Sequence, residues 1–157
     1  MKAIFLGLVF LVLGGCSEEP TPEARVRAFI DEMAASAEAR SWLDFRTYVA
    51  DAYQDSHGLN KKAVLGLIAR YLLAHQQVYL LTRVPQVRID REMPLEAQAI
   101  IYAAMAGQPI GSAQELAGIR ADTYRFALEI AEQEDGELAV VSGRWQSVPT
   151  ANFLLGN

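Results

Sequence analysis

ADTYRFALEIAEQEDGELAVVSGRWQSV, residues 121–148, is the stretch whose reading decides the fold. Tyr124, Phe126, Leu128 and Ile130 alternate with residues of other types, and that period of two marks a half-buried β-strand. Asp135-Gly136 is a strong hairpin signal, because both residues tolerate positive φ in a two-residue turn. With those two as the loop, Glu134 pairs with Glu137, Ile130 opposes Val141, Leu128 opposes Gly143 and Phe126 opposes Trp145. Arg125, Ala127, Glu129, Ser142, Arg144 and Gln146 then occupy the other face. One side of the hairpin is a large apolar surface that needs a cover, and the helical first half of the chain is the available one.

Working outward, 157 residues allow one domain with a sizeable core. The net charge is −5, and the chain has no run of Lys or Arg, so the basic patch that nucleic acid requires is missing. Residues 1–15 stand apart from the fold. Met1-Lys2 is a minimal basic start, and Ala3 to Leu13 is an apolar run of signal-peptide length, too short for a permanent span. It ends in Leu13-Gly14-Gly15-Cys16, which resembles the lipobox of bacterial lipoproteins. The resemblance implies cleavage before Cys16, a diacylglycerol on its sulfur and an acylated amino terminus.

Cys16 is the only cysteine, so no internal disulfide is expected. Without Lys2, 13 basic residues face 19 acidic ones, a net charge of −6, so the acyl chains rather than electrostatics must provide the membrane hold. By analogy with lipoprotein sorting, Ser17 in place of Asp implies the outer membrane of a Gram-negative envelope. Residues 16–21 form the lipidated cysteine and a short tether, at about 3.5 Å per residue no more than roughly 20 Å long. Residues 22–157 form the domain.

Thr21-Pro22 reads as a helix start, with Glu23 suited to the first turn. Val26, Phe29, Ile30, Met33 and Ala37 share one face of that helix. Ser41 opens a shorter helix holding Leu43, Phe45 and Tyr48; Val49 to Tyr53 is a possible short strand, and residues 55–58 form a turn. Asn60 caps a third helix with a wide apolar stripe of Val64, Leu65, Leu67, Ile68, Tyr71, Leu72 and His75. Val78 to Ile89 is a strand at an edge or bulged at Pro85, since proline cannot donate to a ladder. Leu95 to Met105 is read as a strand apolar on both faces, and Ser112 to Glu115 as a capping box with one helical turn.

Three helices followed by about four antiparallel strands is an α+β order. The helix from Ala24 to Ala39, the turn Tyr53 to Gly58 and the hairpin with Trp145 resemble the NTF2-like (SnoaL-like) superfamily. That resemblance implies a cone in which a curved sheet wraps three N-terminal helices around an interior pocket. Residues 63–83 and 124–145 are also similar to bacterial lipoproteins of this fold, a likeness that implies no activity.

The superfamily holds non-catalytic binding domains as well as isomerases and dehydratases that use an acid–base pair. The expected ligand-pocket residues are Tyr48, Tyr71, His75, Tyr124, Phe126 and Trp145, and the leading expectation is a module for a small apolar ligand or a partner protein. The alternative is an acid–base enzyme pairing Asp44 or Asp51 with His75, which requires that histidine inside the cone. His57 with Asp55 and Ser56 invites a triad, but neighbours in a tight turn rarely converge on one atom. Arg83, inside an apolar strand, is expected to point outward or to pair across the strand. Two histidines and no cysteine in the domain give no metal-ligand spacing, and no cofactor-binding glycine loop is present. Ile100 and Tyr102 on the outer sheet face suggest a homodimer through the sheet.

Overall fold

The computed structural model describes residues 19–155. The expected signal peptide, Cys16 as the expected lipidation site and the first part of the expected tether therefore lie outside the described residues. Helix α1 (Pro22–Glu38) starts as its sequence predicts: the Thr21 side chain accepts from the Ala24 amide, and proline occupies the first turn. After it come a single turn, α2 (Phe45–Tyr48), and then α3 (Lys61–Ala74), capped by Asn60. Four strands follow, β1 (Tyr79–Glu92), β2 (Leu95–Ala106), β3 (Asp122–Glu132) and β4 (Leu138–Ser147). A one-turn helix α4 (Ala113–Leu116) interrupts them, and α5 (Thr150–Leu155) ends the described chain. No helix among these residues is long and apolar enough to cross a membrane.

The sheet is an antiparallel meander in the order β1-β2-β3-β4, curved with the helices packed on it, which is the NTF2-like cone. Pro85 does what its missing N–H demands: β1 is an edge strand, and its register shifts between Arg83 and Gln86. The guanidinium of Arg27 in α1 donates to the Val84 carbonyl at 3.0 Å, within that irregularity.

The final hairpin keeps the expected pairs Phe126–Trp145 and Leu128–Gly143 but not the expected turn. Gln133, not Glu134, pairs with Glu137, its amide donating to the Glu137 carbonyl at 2.8 Å. Gly136 donates back to Gln133 at 2.9 Å, so the loop is the three residues 134–136. Gly136 takes φ +85, the left-handed value such loops require. Ile130 consequently opposes Val140 rather than Val141, and an irregularity between Glu129 and Ile130 restores the predicted register farther from the turn.

Phe126, Leu128 and Trp145 pack against Val26, Phe29, Ile30, Ile101 and Ile130 between helices and sheet. The open edge of β4 is covered by residues 49–56. There the amides of Ala50, Gln54 and Ser56 donate to the carbonyls of Val140, Val141 and Gly143. Asp55, 7% exposed, organises this segment by accepting from the amides of His57 at 2.8 Å and Leu59 at 2.9 Å and from the Tyr53 hydroxyl at 3.2 Å. Burial first, then the neighbouring carboxylate, pushes the Tyr53 phenol above its ordinary pKa.

The outer sheet face corrects one expectation. Tyr102 is 4% exposed, and it lies in a second apolar cluster with Ala104, Ile110, Leu116, Val148 and Phe153 of α5. Arg83, outward as expected, donates to the Phe153 carbonyl at 2.8 Å and so caps the C-terminus of α5. The chain thus supplies its own cover for the part of this face that the sequence suggested was free.

Candidate functional site

The two ends of the cone differ. At one end the start of α1 meets both hairpin tips: Arg25 bonds Glu132 at 2.7 Å and the Gly136 carbonyl at 3.3 Å, and the other Glu132 oxygen accepts from Leu95 N at 2.9 Å. The Arg25 bond and the Leu95 amide hold the Glu132 carboxyl below its ordinary pKa. At the opposite end Leu80, Met105 and Asp122 lie on one rung of the sheet. Glu38, at the end of α1, accepts from Leu80 N at 2.8 Å. Arg40 donates to the carbonyls of Leu72 at 3.0 Å and Gln76 at 3.3 Å, closing the C-terminus of α3.

Four of the predicted pocket residues belong to this second end or lead into it. Tyr124 and Phe126 have ring centroids 6.1 Å apart on the inner face of β3. Tyr71 in the last turn of α3 and His75, the residue that ends it, have theirs 4.3 Å apart. The Tyr71 hydroxyl is held above its ordinary pKa first by burial, then by the Asp122 carboxylate and Tyr124. An open groove of about 450 Å³ lies at the same end, lined by Ala74, His75, Gln76, Gln77 and Gly107.

Trp145 is half-buried beside Phe126 and is overlaid by the exposed ring of His57 at 4.6 Å. Tyr48 packs edge-on between Phe29 and Phe45, and its hydroxyl sits 3.0 Å from Ser36 Oγ.

The acid–base pair is not assembled. His75 is exposed, with Nδ1 2.7 Å from the Tyr71 carbonyl, the position of a histidine closing a helix end. Asp51 is 98% exposed and bound to Lys61 at 2.7 Å, and that bond lowers its pKa. Asp44 is exposed and accepts from Ser36 at 3.3 Å. Nor do His57 and Asp55 form a triad, since the Asp55 carboxylate is engaged by backbone amides and Tyr53. Among the described residues no group of three or more His, Cys, Asp or Glu is placed to hold a metal ion.

Asp122 was missed by the sequence reading, although it extends the alternating row by one step before Tyr124. It is exposed, and no Lys or Arg of the described residues makes an ion pair with it. A second depression, of about 60 Å³, lies on the outer sheet face between Gln98, Ile100, Ala127, Glu129, Ser142 and Arg144. Neither recess lies between the helices and the sheet, where apolar side chains fill the space.

By sequence, the chain matches no protein-family profile and no curated protein. By structure it is similar to an uncharacterized protein with a cystatin-like fold from Caulobacter vibrioides. The TM-score is 0.60 at 12% identity, covering 84% of this chain and 93% of the other. It is also similar to ActVI-ORFA from Streptomyces coelicolor, with a TM-score of 0.58 at 8% identity over 80% and 93% of the two chains. An NTF2-like protein from Cytophaga hutchinsonii aligns with a TM-score of 0.53 at 9% identity over 78% and 95%. At these identities the likeness establishes the fold, not an activity.

Proposed function

We propose that this chain is a lipid-anchored envelope protein whose cone is a non-catalytic binding module, taking a small ligand at its open end rather than in an enclosed cavity. The observation that carries this reading is an open groove lined by His75, whose ring lies against half-buried Tyr71, at the end of the cone where the half-buried rings of Tyr124 and Phe126 also stand. Large aromatic surface left partly in water at a concave edge is characteristic of ligand sites. The position of α1 supports the arrangement: a tether entering at Thr21 joins the hairpin-tip end. The groove then sits beyond the length of α1, whose 17 residues span about 25 Å. A lipid on Cys16 in the outer membrane would leave the open end directed away from the bilayer.

Two measurements test this. In a Gram-negative host, the full chain should incorporate labelled palmitate and fractionate with the outer membrane, and Cys16→Ser should do neither. In maltoside micelles, screening small apolar and amphipathic compounds should raise the melting temperature of the wild type and not of Tyr124→Ala. A soluble, unlabelled wild type would remove the anchor, and a flat screen would remove the binding module.

For a homodimer through the sheet, we propose the shallow strip around Ala127 on the outer face, beside Ile100, which itself packs against the cluster of Phe153. A single monomeric species in sedimentation would overturn that pairing.

A further inference from the structure

We propose that two copies of this chain meet through their outer sheet faces in one orientation, set by reciprocal ion pairs in which Glu129 of each copy meets Arg144 of the other. This rests on the homodimer proposed above and gives it its contacts and its crossing angle.

Strand register puts the groups concerned on one face. Ile100, Ala127 and Arg144 form one rung across β2, β3 and β4, and Gln98, Glu129 and Ser142 form the next rung on the same side. All six line the depression of about 60 Å³. Glu129 and Arg144 are exposed diagonal neighbours of opposite charge, yet among the described residues neither forms an ion pair. Farther along the face Tyr102 and Ala104 are buried in the cluster of Phe153. The strip with the two unpaired charges is therefore what the chain leaves for another molecule to cover.

The charge pattern selects the two-fold axis. An axis along β3 sets Glu129 over the partner's Glu129 and Arg125 over the partner's Arg125. An axis along the rung Ile100–Ala127–Arg144 sets Arg144 over the partner's Arg144. Like charges face to face oppose both arrangements. An axis along the diagonal from Ala127 to Ser142 avoids them, because the residues that then meet their own copies are small and uncharged. Glu129 and Arg144 exchange places about that line, so each pair occurs twice, as a self-complementary contact demands. Two residues of a strand span about 6.8 Å and neighbouring strands lie about 4.8 Å apart, so this axis crosses the two β3 strands at about 70°, near the orthogonal class of sheet packing. The ion pairs fix this orientation, while Ala127 and half-buried Ile100 supply apolar contact.

Sedimentation velocity of the full chain in maltoside micelles, over a range of protein concentrations, tests the pairing. Wild type should show a dimer that grows with concentration. Glu129→Arg and Arg144→Glu should each weaken it roughly tenfold, since each variant sets like charges face to face twice. Both should keep the wild-type melting temperature, because both side chains are exposed. The double variant Glu129→Arg/Arg144→Glu should recover the wild-type dimer, and an equimolar mixture of the two single variants should pair more tightly than either alone. A wild type that stays monomeric would overturn the homodimer and this orientation together. A dimer that every variant keeps unchanged would overturn the Glu129–Arg144 contact and leave a homodimer held by other residues. Single variants that weaken the dimer without rescue in the double variant would overturn the reciprocal arrangement.

Discussion

The guanidinium of Arg83 on β1 donates to the backbone carbonyl of Phe153 at 2.8 Å, so the edge strand of the sheet holds the C-terminal helix in place. Phe153 is 1% exposed, and its cluster includes Tyr102 and Ala104 of the outer sheet face. Arg83→Met should therefore cost about 1–2 kcal/mol, from a charged hydrogen bond at a helix C-terminus. Phe153→Ala should cost about 3 kcal/mol, from a vacated core position. Urea denaturation measures both, and a hydrophobic dye should bind the second variant more strongly.

Gly136 adopts φ +85 at the tip of the last hairpin. Gly136→Ala should lower stability by about 1–2 kcal/mol, because a Cβ crowds the backbone in the left-handed region. Gly136→Asn should recover part of that loss, since asparagine tolerates the conformation. Thermal unfolding of the two variants distinguishes a conformational cost from a lost contact, because nothing stands within 4 Å of the position a Cβ would take.

Asp55 holds the segment that covers the β4 edge. Asp55→Ala removes the acceptor for two amides and the Tyr53 hydroxyl and should cost about 2–4 kcal/mol. Asp55→Asn keeps one carbonyl oxygen and should cost less. If the edge is loosened as expected, hydrogen exchange at Ala50, Gln54 and Ser56 will accelerate more than exchange in β2.

Glu132 has a folded pKa below its ordinary value of 4.5, first because of the Arg25 bond and then because of the Leu95 amide. A depressed carboxylate pKa contributes stability that is present above the unfolded value and lost as pH falls through the folded one. Wild type should therefore be more stable than Glu132→Gln at pH 7, and the difference should shrink as pH falls below 4.5. Denaturation midpoints at pH 7, 5 and 3.5 (three buffers) measure the trend; a constant gap would contradict it.

How much of this was legible depended on how local each signal was. The alternation from Tyr124 to Ile130 gave the inner face, and the pairs Phe126–Trp145 and Leu128–Gly143 followed from it. The turn did not, because Asp135-Gly136 suits both a two-residue loop and the last two places of a three-residue one. The strand irregularity then corrects the one-residue difference out of sight of any local pattern. Pro85 announced its own bulge. The helix α5 was missed, since six residues, TANFLL, are too few to show a helical period, and with it went the reading that Tyr102 was free. His75 was expected on the stripe of α3 but stands just past its end, and sequence could not distinguish a ring inside the cone from one folded back on the Tyr71 carbonyl. Asp122 carried the clearest overlooked signal, a carboxylate in register with the aromatic row.

The meander order has a consequence for how the chain assembles. Each strand pairs only with its sequence neighbours, so the sheet closes through successive hairpins at modest entropic cost. Helix α1 is different: Arg25 finds Glu132 across 107 residues of chain, and Ile130 joins Val26, Phe29 and Ile30 in one cluster. As the chain is made from its amino terminus, that greasy helical face emerges first and waits longest for its partners. A ribosome-stalled product ending before β3 should therefore carry α1 covered only by β1 and β2, without Ile130, Phe126 and Leu128, and it is at this stage of synthesis that the protein most needs a chaperone.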